Sequence, residues 1–418
     1  MSLLKTTFFS SISTAVSLVC KLVTNKVIAV YLGTNGMFLL GQLKDLINIG
    51  QISGSLGTGN GIIKYVASYK EDPKKLSSFL ATGLKLHIYF SLLVCILTFI
   101  FKDALSKYLF NDIKFSNAIA ILALSFITLA LHSFFMAIFN GLKKIKTYIT
   151  INIIATVLAS ALVIVLVLKF ELLGAFYALV LSQFLGFIIS ILFIRKLQLL
   201  SLKNMSFKVD KTHFKNLTKF SYMAIAAPIC MIGATLFIRF FLNDELGSIY
   251  AGSWEGMWRI SAIYIMFLTT TFKFYLLPTF SEISGNKLKK EVFKVWTLSI
   301  PTIIIITLTV YFLKDFIIPL LFSKEFMLIN TILLFHLLGD AIKINSWVLG
   351  NILIAKANTK VFIVFQIGWA IIFCTLSVLF VRIQGFVGVS MAYFLTYVLH
   401  FIAMNIYFRK LLWTKNNL

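Results

Sequence analysis

The sequence predicts an all-α polytopic membrane protein, and its composition, its hydropathy and its loop lengths each support that fold class. Of the 418 residues, 59% are hydrophobic and 13% are charged, and the mean hydropathy is +0.93. Apolar stretches that reach the length of a bilayer-spanning helix, about 20 residues, recur along the chain with short connections between them. This composition excludes a soluble globular domain.

Twelve transmembrane helices are predicted, in two six-helix lobes related by pseudo-two-fold symmetry. The predicted spans are 7–31, 37–66, 77–101, 116–140, 147–168, 172–194, 216–242, 250–278, 292–313, 328–355, 361–381 and 386–408. The longest polar connection, RKLQLLSLKNMSFKVDKTHFKN, begins at Arg195 after the sixth span. It indicates an N-lobe at 1–200, a basic cytoplasmic linker at 201–215 and a C-lobe at 216–418.

The two predicted lobes share a local pattern. KVIAVYLG at 26–33 and RFFLNDELG at 239–247 each place a cation about two turns before a glycine that is expected to end the helix. Two related helical bundles with a route between them are typical of membrane transporters. The pattern therefore favours a transporter over a single undivided bundle.

The net charge of +24 is distributed unevenly over the predicted loops. An even number of helices places both termini on one side, and the loops of that side hold most of the loop lysines and arginines. The positive-inside rule therefore predicts cytoplasmic termini, with basic loops that contact membrane lipid headgroups and not nucleic acid. The loops on the other side are short, the longest being 102–115 and 314–327, so function is expected within the membrane region.

Residues 48–67, NIGQISGSLGTGNGIIKYVA, are rich in glycine but do not form a nucleotide-binding loop. Gly54 and Gly59 have P-loop spacing, yet the two residues after Gly59 are not the required lysine and Ser/Thr. Small residues so spaced let membrane helices pack closely or bend, and Pro228 is expected to bend a second helix. The four cysteines and five histidines lack disulfide or metal spacing, and no cofactor is expected.

Ionisable side chains within the predicted spans are candidate functional residues, because each is costly in lipid unless it faces protein or water. They are Lys21, Lys26, Lys44, Asp45, Arg239, Glu255, Arg259, Lys273, Asp340 and Lys343. Cations outnumber carboxylates, which predicts a cationic route through the membrane. Such a route suits a substrate that carries phosphate, because ammonium and guanidinium groups replace the hydration that phosphate loses.

Spacing leaves two interpretations open for the carboxylates and their neighbours. Glu255 and Arg259 are four residues apart, and Asp340 and Lys343 are three apart, so each pair shares a helix face. Each pair can form a structural ion pair or contact a ligand. Asp45 and the two other carboxylates are also candidates for coupling transport to a proton or cation gradient, or for permanent counter-ions to the nearby cations.

Lys26 and Arg239 have no acidic neighbour at helical spacing on their own helices. We expect them to line a solvated route, and the alternative is that both side chains extend to the outer interface. Lys21 and Lys26 are five residues apart and lie on different faces of a straight helix, so at least one of them has another role.

Two stretches resemble a known family. GNGIIKYVA at 59–67 and LLGDAIKINSWVLGNILIAKANTK at 337–360 are similar to the corresponding segments of Wzx-type flippases for O-antigen and enterobacterial common antigen. These are polysaccharide transporters of the multidrug/oligosaccharidyl-lipid/polysaccharide exporter superfamily. The N-terminal SLLKTT, the chain length and the six-plus-six arrangement extend the resemblance over essentially the whole chain. Within the matching stretches, Lys64, Asp340 and Lys343 occupy family-like positions.

The resemblance implies lobes that alternately open a cationic central cavity to the two sides of the bacterial inner membrane. The implied cargo is an oligosaccharide repeat unit on undecaprenyl diphosphate, moved from the cytoplasmic to the periplasmic leaflet. We expect the diphosphate to contact Lys26, Arg239 and one or more of the cations Lys44, Lys64, Arg259 and Lys343, with Lys21 and Lys273 as further cavity or interface cations. Polymerase and chain-length regulator proteins are the implied partners.

Other classes of function fit the sequence less well. A drug or cation exporter of the same superfamily should have an acidic, aromatic cavity, whereas cations are in excess here. A lipid II flippase is expected to have two further C-terminal helices. An O-antigen polymerase or ligase generally has a sizeable periplasmic loop, which this chain lacks. The sequence therefore predicts a transporter and not an enzyme.

Overall fold

The computed structural model describes residues 3–196 and 210–414, and within these ranges the regular structure is entirely helical. The helices are α1 Leu3–Ser55, α2 Gly59–Tyr69, α3 Pro73–Ile100, α4 Lys102–Phe110, α5 Ser116–Gly141, α6 Ile145–Arg195, α7 Lys211–Glu245, α8 Ser248–Glu282, α9 Gly285–Phe312, α10 Lys314–Leu321, α11 Ile329–Ala355, α12 Thr359–Gln384, α13 Val387–Tyr407 and α14 Arg409–Leu412. Among the described residues, nine segments are long and apolar enough to cross a membrane. The predicted class, an all-α polytopic membrane protein, is confirmed.

Two of the helices, α1 and α6, are far longer than one membrane span. They contain 53 and 51 residues, whereas about 20 residues cross a bilayer. Each is interrupted by a residue with non-helical dihedral angles, Gly33 (φ 61°, ψ −162°) in α1 and Glu171 (φ 48°, ψ −127°) in α6. The predicted spans 7–31 and 147–168 end just before these residues, and the count of twelve spans stays a prediction.

The glycine-rich stretch departs from the single span expected over 37–66. Helix α1 ends at Ser55, Leu56 and Gly57 both have positive φ, and α2 begins at Gly59. A Cβ on Gly50 would come within 2.0 Å of the Phe126 ring, so this glycine permits close packing of α1 on α5. The expectation that the stretch packs or bends a membrane helix is confirmed, since it does both.

Two short helices occupy the segments 102–115 and 314–327, which the sequence predicted to be the longest outer loops. Helix α4 follows α3 after Phe101 (φ −93°, ψ 13°), and α10 follows α9 after Leu313 (φ −94°, ψ 9°). Each starts with a Lys-Asp pair and leads through a 3₁₀ turn into the next long helix. The same sequence of elements therefore occurs once in each half of the chain.

The chain forms two compact units. The N-terminal unit contains Met1–Leu32 and Leu39–Ile225, and the C-terminal unit contains Gly33–Phe38 and Ala226–Leu418. Residues 201–209 of the predicted linker lie outside the described residues, and the predicted lobe boundaries stay a prediction. Helix α7 is continuous through Pro228.

The N-terminal unit is built around α2, α3 and α5. Its core contains the fully buried side chains of Ile62, Phe79, Phe134 and Ile138. Helix α3 begins after Asp72, whose carboxylate accepts a hydrogen bond from the backbone N–H of Lys75 at 3.1 Å. That bond satisfies a first-turn donor and lowers the pKa of the Asp72 carboxyl.

Helix α11 is central to the C-terminal unit, where it packs against α8, α9 and α13. Gly339 permits the approach of α13, because a Cβ there would come within 2.4 Å of the Tyr393 ring. Trp254 on α8 and Tyr393 on α13 are among the largest fully buried side chains described. These three helices position the polar side chains of the candidate site.

Candidate functional site

Three charged residues predicted from the sequence meet in the interior of the C-terminal unit. Arg239 on α7 donates from Nη2 to Oε2 of Glu255 on α8 at 2.9 Å. Arg259, one turn further along α8, donates from Nε to Oε1 of the same carboxylate at 3.2 Å. All three side chains are at most 11% exposed. We call this group the arginine–glutamate cluster.

The cluster contains the ion pair that spacing allowed for these residues, and a ligand contact by them stays a prediction. The pair Glu255–Arg259 is an ion pair in this structure, and Arg239 joins it from the neighbouring helix. Sequence spacing could not show this second contact, because it depends on how α7 packs on α8. The Glu255 carboxylate is thus shared by two guanidinium groups, each of which can bind oxyanions through planar sets of donors.

A second buried polar group surrounds Asp340 on α11. Its Oδ1 accepts a hydrogen bond from the Tyr393 hydroxyl at 2.6 Å, and its Oδ2 accepts one from Ser261 Oγ at 2.5 Å and one from the Tyr264 hydroxyl. The carboxylate is fully buried. Lys343 Nζ lies 3.5 Å from Oδ1, so the predicted pair Asp340–Lys343 is also an ion pair here.

Lys343 is enclosed by aromatic rings. Its Nζ lies 5.0 Å from the ring centroids of Trp258 and Trp347, 5.5 Å from that of Tyr393 and 5.6 Å from that of Tyr397. It also donates a hydrogen bond to the Tyr393 hydroxyl at 2.9 Å. Cations over aromatic faces at such distances are stabilised by the ring quadrupole.

These side chains form what we call the Asp340 pocket. Its members are Asp340, Lys343, Ser261, Tyr264, Trp258, Trp347, Tyr393 and Tyr397. Helical spacing on α8 presents Ser261 and Tyr264 to the same carboxylate, since residues three apart share a face. His336 stacks on the Tyr393 ring with centroids 4.3 Å apart and so helps to fix the position of that tyrosine.

The remaining predicted cations lie elsewhere. Lys21 and Lys26 on α1, Lys44 on α1 after the break, and Lys64 on α2 all belong to the N-terminal unit. Lys21, Lys44 and Lys64 are exposed and Lys26 is half-buried, while Asp45 beside Lys44 is buried. Lys273 is on α8, and its side chain lies outside the described residues.

Several residues of these sites could not be predicted from the sequence, and others were not predicted. Ser261, Tyr264 and Tyr393 carry no charge, and the contact of Tyr393 with Asp340 joins positions 53 residues apart, so the sequence held no local signal for it. His336 lies four residues before Asp340, a spacing that could have identified it. Lys85 lies inside the predicted span 77–101 and is half-buried on α3, so it belonged among the candidates.

The described residues offer no group of three or more His, Cys, Asp or Glu side chains placed to hold a metal ion. The two sites are therefore built from ion pairs, hydroxyl groups and aromatic rings. Such groups can bind phosphate, ammonium groups or sugar hydroxyls without a metal.

Solved structures share this fold. An inward-facing multidrug resistance MATE family transporter of the MOP superfamily has a TM-score of 0.81 at 12% sequence identity, with 94% of this chain and 95% of that chain covered. The lipid II flippase MurJ in an inward closed conformation has a TM-score of 0.70 at 16% identity, with 96% and 87% covered. The chain therefore has the fold of the MOP superfamily transporters.

The family follows from the sequence match. A model of the polysaccharide biosynthesis protein family matches residues 39–329, and the chain belongs to that family. The lipid III flippase of Escherichia coli (strain K12) is 26% identical over 406 residues, which cover 96% of this chain and 97% of the relative. The lipid III flippase of Shigella flexneri matches to the same extent. The resemblance to flippases of polysaccharide biosynthesis is confirmed.

Proposed function

We propose that this protein is a flippase that moves a lipid-linked oligosaccharide from the cytoplasmic to the periplasmic leaflet of a bacterial inner membrane. The match to lipid III flippases over nearly the whole of both chains carries this proposal. Membership of the polysaccharide biosynthesis family supports it. The cargo is an oligosaccharide on undecaprenyl diphosphate, and the protein acts as a transporter and not as an enzyme.

The cargo's diphosphate is recognised by cations of the membrane region. In the N-terminal unit, Lys44 and Lys64 have exposed side chains that a phosphate can approach. In the C-terminal unit, the arginine–glutamate cluster supplies two guanidinium groups, which suit phosphate, and its side chains are almost fully buried. We therefore assign first contact with the diphosphate to the exposed lysines and a later contact to Arg239 or Arg259.

Deletion of the gene in its host tests the function. Lipid-linked single repeat units are left in the intact inner membrane, and a membrane-impermeant sugar-labelling enzyme shows which leaflet holds them. We expect the deletion to leave repeat units facing the cytoplasm, and plasmid-borne wild-type protein to restore labelling from the periplasm. Repeat units that face the periplasm in the deletion strain would overturn the proposal and favour a polymerase or ligase.

A further inference from the structure

The Asp340 pocket has the chemistry of a binding site for an alkylammonium ion. A buried carboxylate supplies the negative charge, and four aromatic rings lie 5.0–5.6 Å from the cation. Proteins recognise ammonium ligands with this combination of aromatic faces and opposite charge. In this protein the pocket contains an ammonium group of the chain itself, that of Lys343.

We propose that the Asp340 pocket is a binding site for an alkylammonium ion and that the ammonium group of Lys343 occupies it. Lys343 thereby acts as a counter-ion to Asp340 that is covalently part of the chain. The Lys343 ammonium uses its donors on the Tyr393 hydroxyl at 2.9 Å and on Asp340 at 3.5 Å, and its other sides face rings. It is 3% exposed. The Asp340 carboxylate and the four rings occupy the sides from which a diphosphate would reach this ammonium group, so the proposal gives Lys343 a role other than the diphosphate contact expected from sequence.

The surroundings of Asp340 support the same assignment. Ser261, Tyr264 and Tyr393 direct hydroxyl donors at its two oxygens, and Lys343 supplies the charge. A carboxylate with these partners is neutralised from within the chain. The pocket therefore needs no sodium ion or other cation from solution, and Asp340 serves as a counter-ion and not as a site for a gradient cation.

Charge-removing variants test whether the two residues act as a pair. Lys343→Met and Asp340→Asn should each lower the Tm of the purified protein, because each leaves one buried charge without its partner. The double variant should lose clearly less than the sum of the two single losses, since it buries no charge. Additive losses would overturn the assignment. This measurement does not involve the cargo, so its outcome is independent of the proposed flippase activity.

Chemical complementation tests the ligand class. In Lys343→Ala the pocket is vacated, and propylammonium should raise the Tm by about 1–2 °C at concentrations well above its Kd. Sodium at the same ionic strength should produce no comparable rise. Lys44→Ala is the matched control, since it removes an exposed lysine outside the pocket, and its Tm should respond equally to the two salts.

These Tm measurements distinguish a pocket that selects ammonium through Asp340 from one that responds to any monovalent cation. An equal response of Lys343→Ala to sodium and propylammonium would show that the pocket does not select ammonium and would overturn the proposal. The same holds if Asp340→Asn/Lys343→Ala still responds to propylammonium, because that response would not need the carboxylate. If Lys343→Ala fails to fold, addition of Asp340→Asn should restore folded protein, and failure to do so contradicts the pairing.

Discussion

Glu255 is the residue on which the arginine–glutamate cluster depends. Its carboxylate contacts both Arg239 and Arg259, and all three side chains are at most 11% exposed. Removing one partner of a buried ion pair leaves a charge that neither water nor protein neutralises. The stability of α7 against α8 should therefore be sensitive to this one carboxylate.

We predict that Glu255→Gln lowers the free energy of unfolding by about 3–5 kcal/mol. Glu245→Gln is the matched control, because Glu245 pairs with Arg382 at 3.7 Å where both side chains are well exposed. That change should cost less than about 1 kcal/mol. Denaturation of both variants in the same detergent compares them, and equal losses would show that the buried cluster is not a stability determinant.

Two helix boundaries contain residues with similar backbone dihedral angles but of different types. The break in α6 uses Glu171 (φ 48°, ψ −127°), and the turn between α12 and α13 uses Gly385 (φ 62°, ψ −145°). Three residues after each, a glycine lies so close to a carbonyl oxygen that a Cβ would come within 1.9 Å at Gly174 and 2.1 Å at Gly388. Only Gly385 has the residue type that suits these dihedral angles.

The break in α6 therefore stores backbone strain that glycine would remove. Glu171 is exposed, so Glu171→Gly should stabilise the protein by about 1 kcal/mol, the strain relieved less the added entropy of the unfolded chain. Gly385→Ala should destabilise it by about 1–2 kcal/mol, because a Cβ there meets open space and only the backbone is strained. Thermal denaturation measures both, and shifts of the same sign would contradict the argument.

The short helices α4 and α10 occur at the ends of equally long helices. Helices α3 and α9 each contain 28 residues, about 42 Å of helix, which exceeds the hydrocarbon thickness of about 30 Å. Each short helix exposes apolar side chains, among them Tyr108 at 71% and Phe316 at 65%. From length and exposure we predict that α4 and α10 lie at a membrane–water interface, where amphipathic aromatic side chains are favoured.

Site-directed spin labelling tests this position. In a background without the four native cysteines, labels at 108 and 316 in nanodiscs should be more accessible to oxygen than to a water-soluble nickel reagent. A label at Asn111, the exposed left-handed residue that ends α4, is the control and should show the opposite preference. Preference for the nickel reagent at all three positions would place the short helices in water.

At the scale of the whole molecule, the sequence was sufficient for the fold class and for ion pairs within one helix, and insufficient for contacts between helices. Hydropathy identifies long spans because the bilayer imposes length and apolar composition on every helix. Helical spacing identified the pairs Glu255–Arg259 and Asp340–Lys343, whose contacts lie within about one turn of one helix. The Arg239 contact depends on helix packing, which local spacing does not encode.

Breaks within helices were harder to predict for a related reason. Gly33 was recognised because glycine favours positive φ, and Glu171 fell between two predicted spans without any residue signal of its own. The turn at Leu56 and Gly57 lies in the glycine-rich stretch, where the glycines at 50, 54, 57, 59 and 61 favour a bend without fixing the residue at which it occurs. Composition reports whether a segment can lie in lipid, and it does not report where the backbone turns.

The sidedness of the whole chain is a further prediction from loop charge. Fusions of green fluorescent protein and alkaline phosphatase after Ser284, in the loop between α8 and α9, should give fluorescence and little phosphatase activity, because the adjoining lysines favour the cytoplasm. Fusions after Asn111 should give the reverse pattern. Phosphatase activity after Ser284 would contradict the predicted cytoplasmic position of this loop and of both termini.

The exposed lysines of the N-terminal unit should determine how the protein first engages its cargo. A charge-assisted hydrogen bond to phosphate contributes about 1.5–3 kcal/mol when made, and solvent reduces it at exposed positions. We therefore expect Lys44→Gln and Lys64→Gln each to slow translocation by about tenfold or less without lowering the Tm. Transport of a labelled lipid-linked oligosaccharide in proteoliposomes measures this, with Lys107→Gln, in the short helix α4, as the control. Unchanged rates in Lys44→Gln/Lys64→Gln would assign the diphosphate to other groups, first among them Arg239 and Arg259.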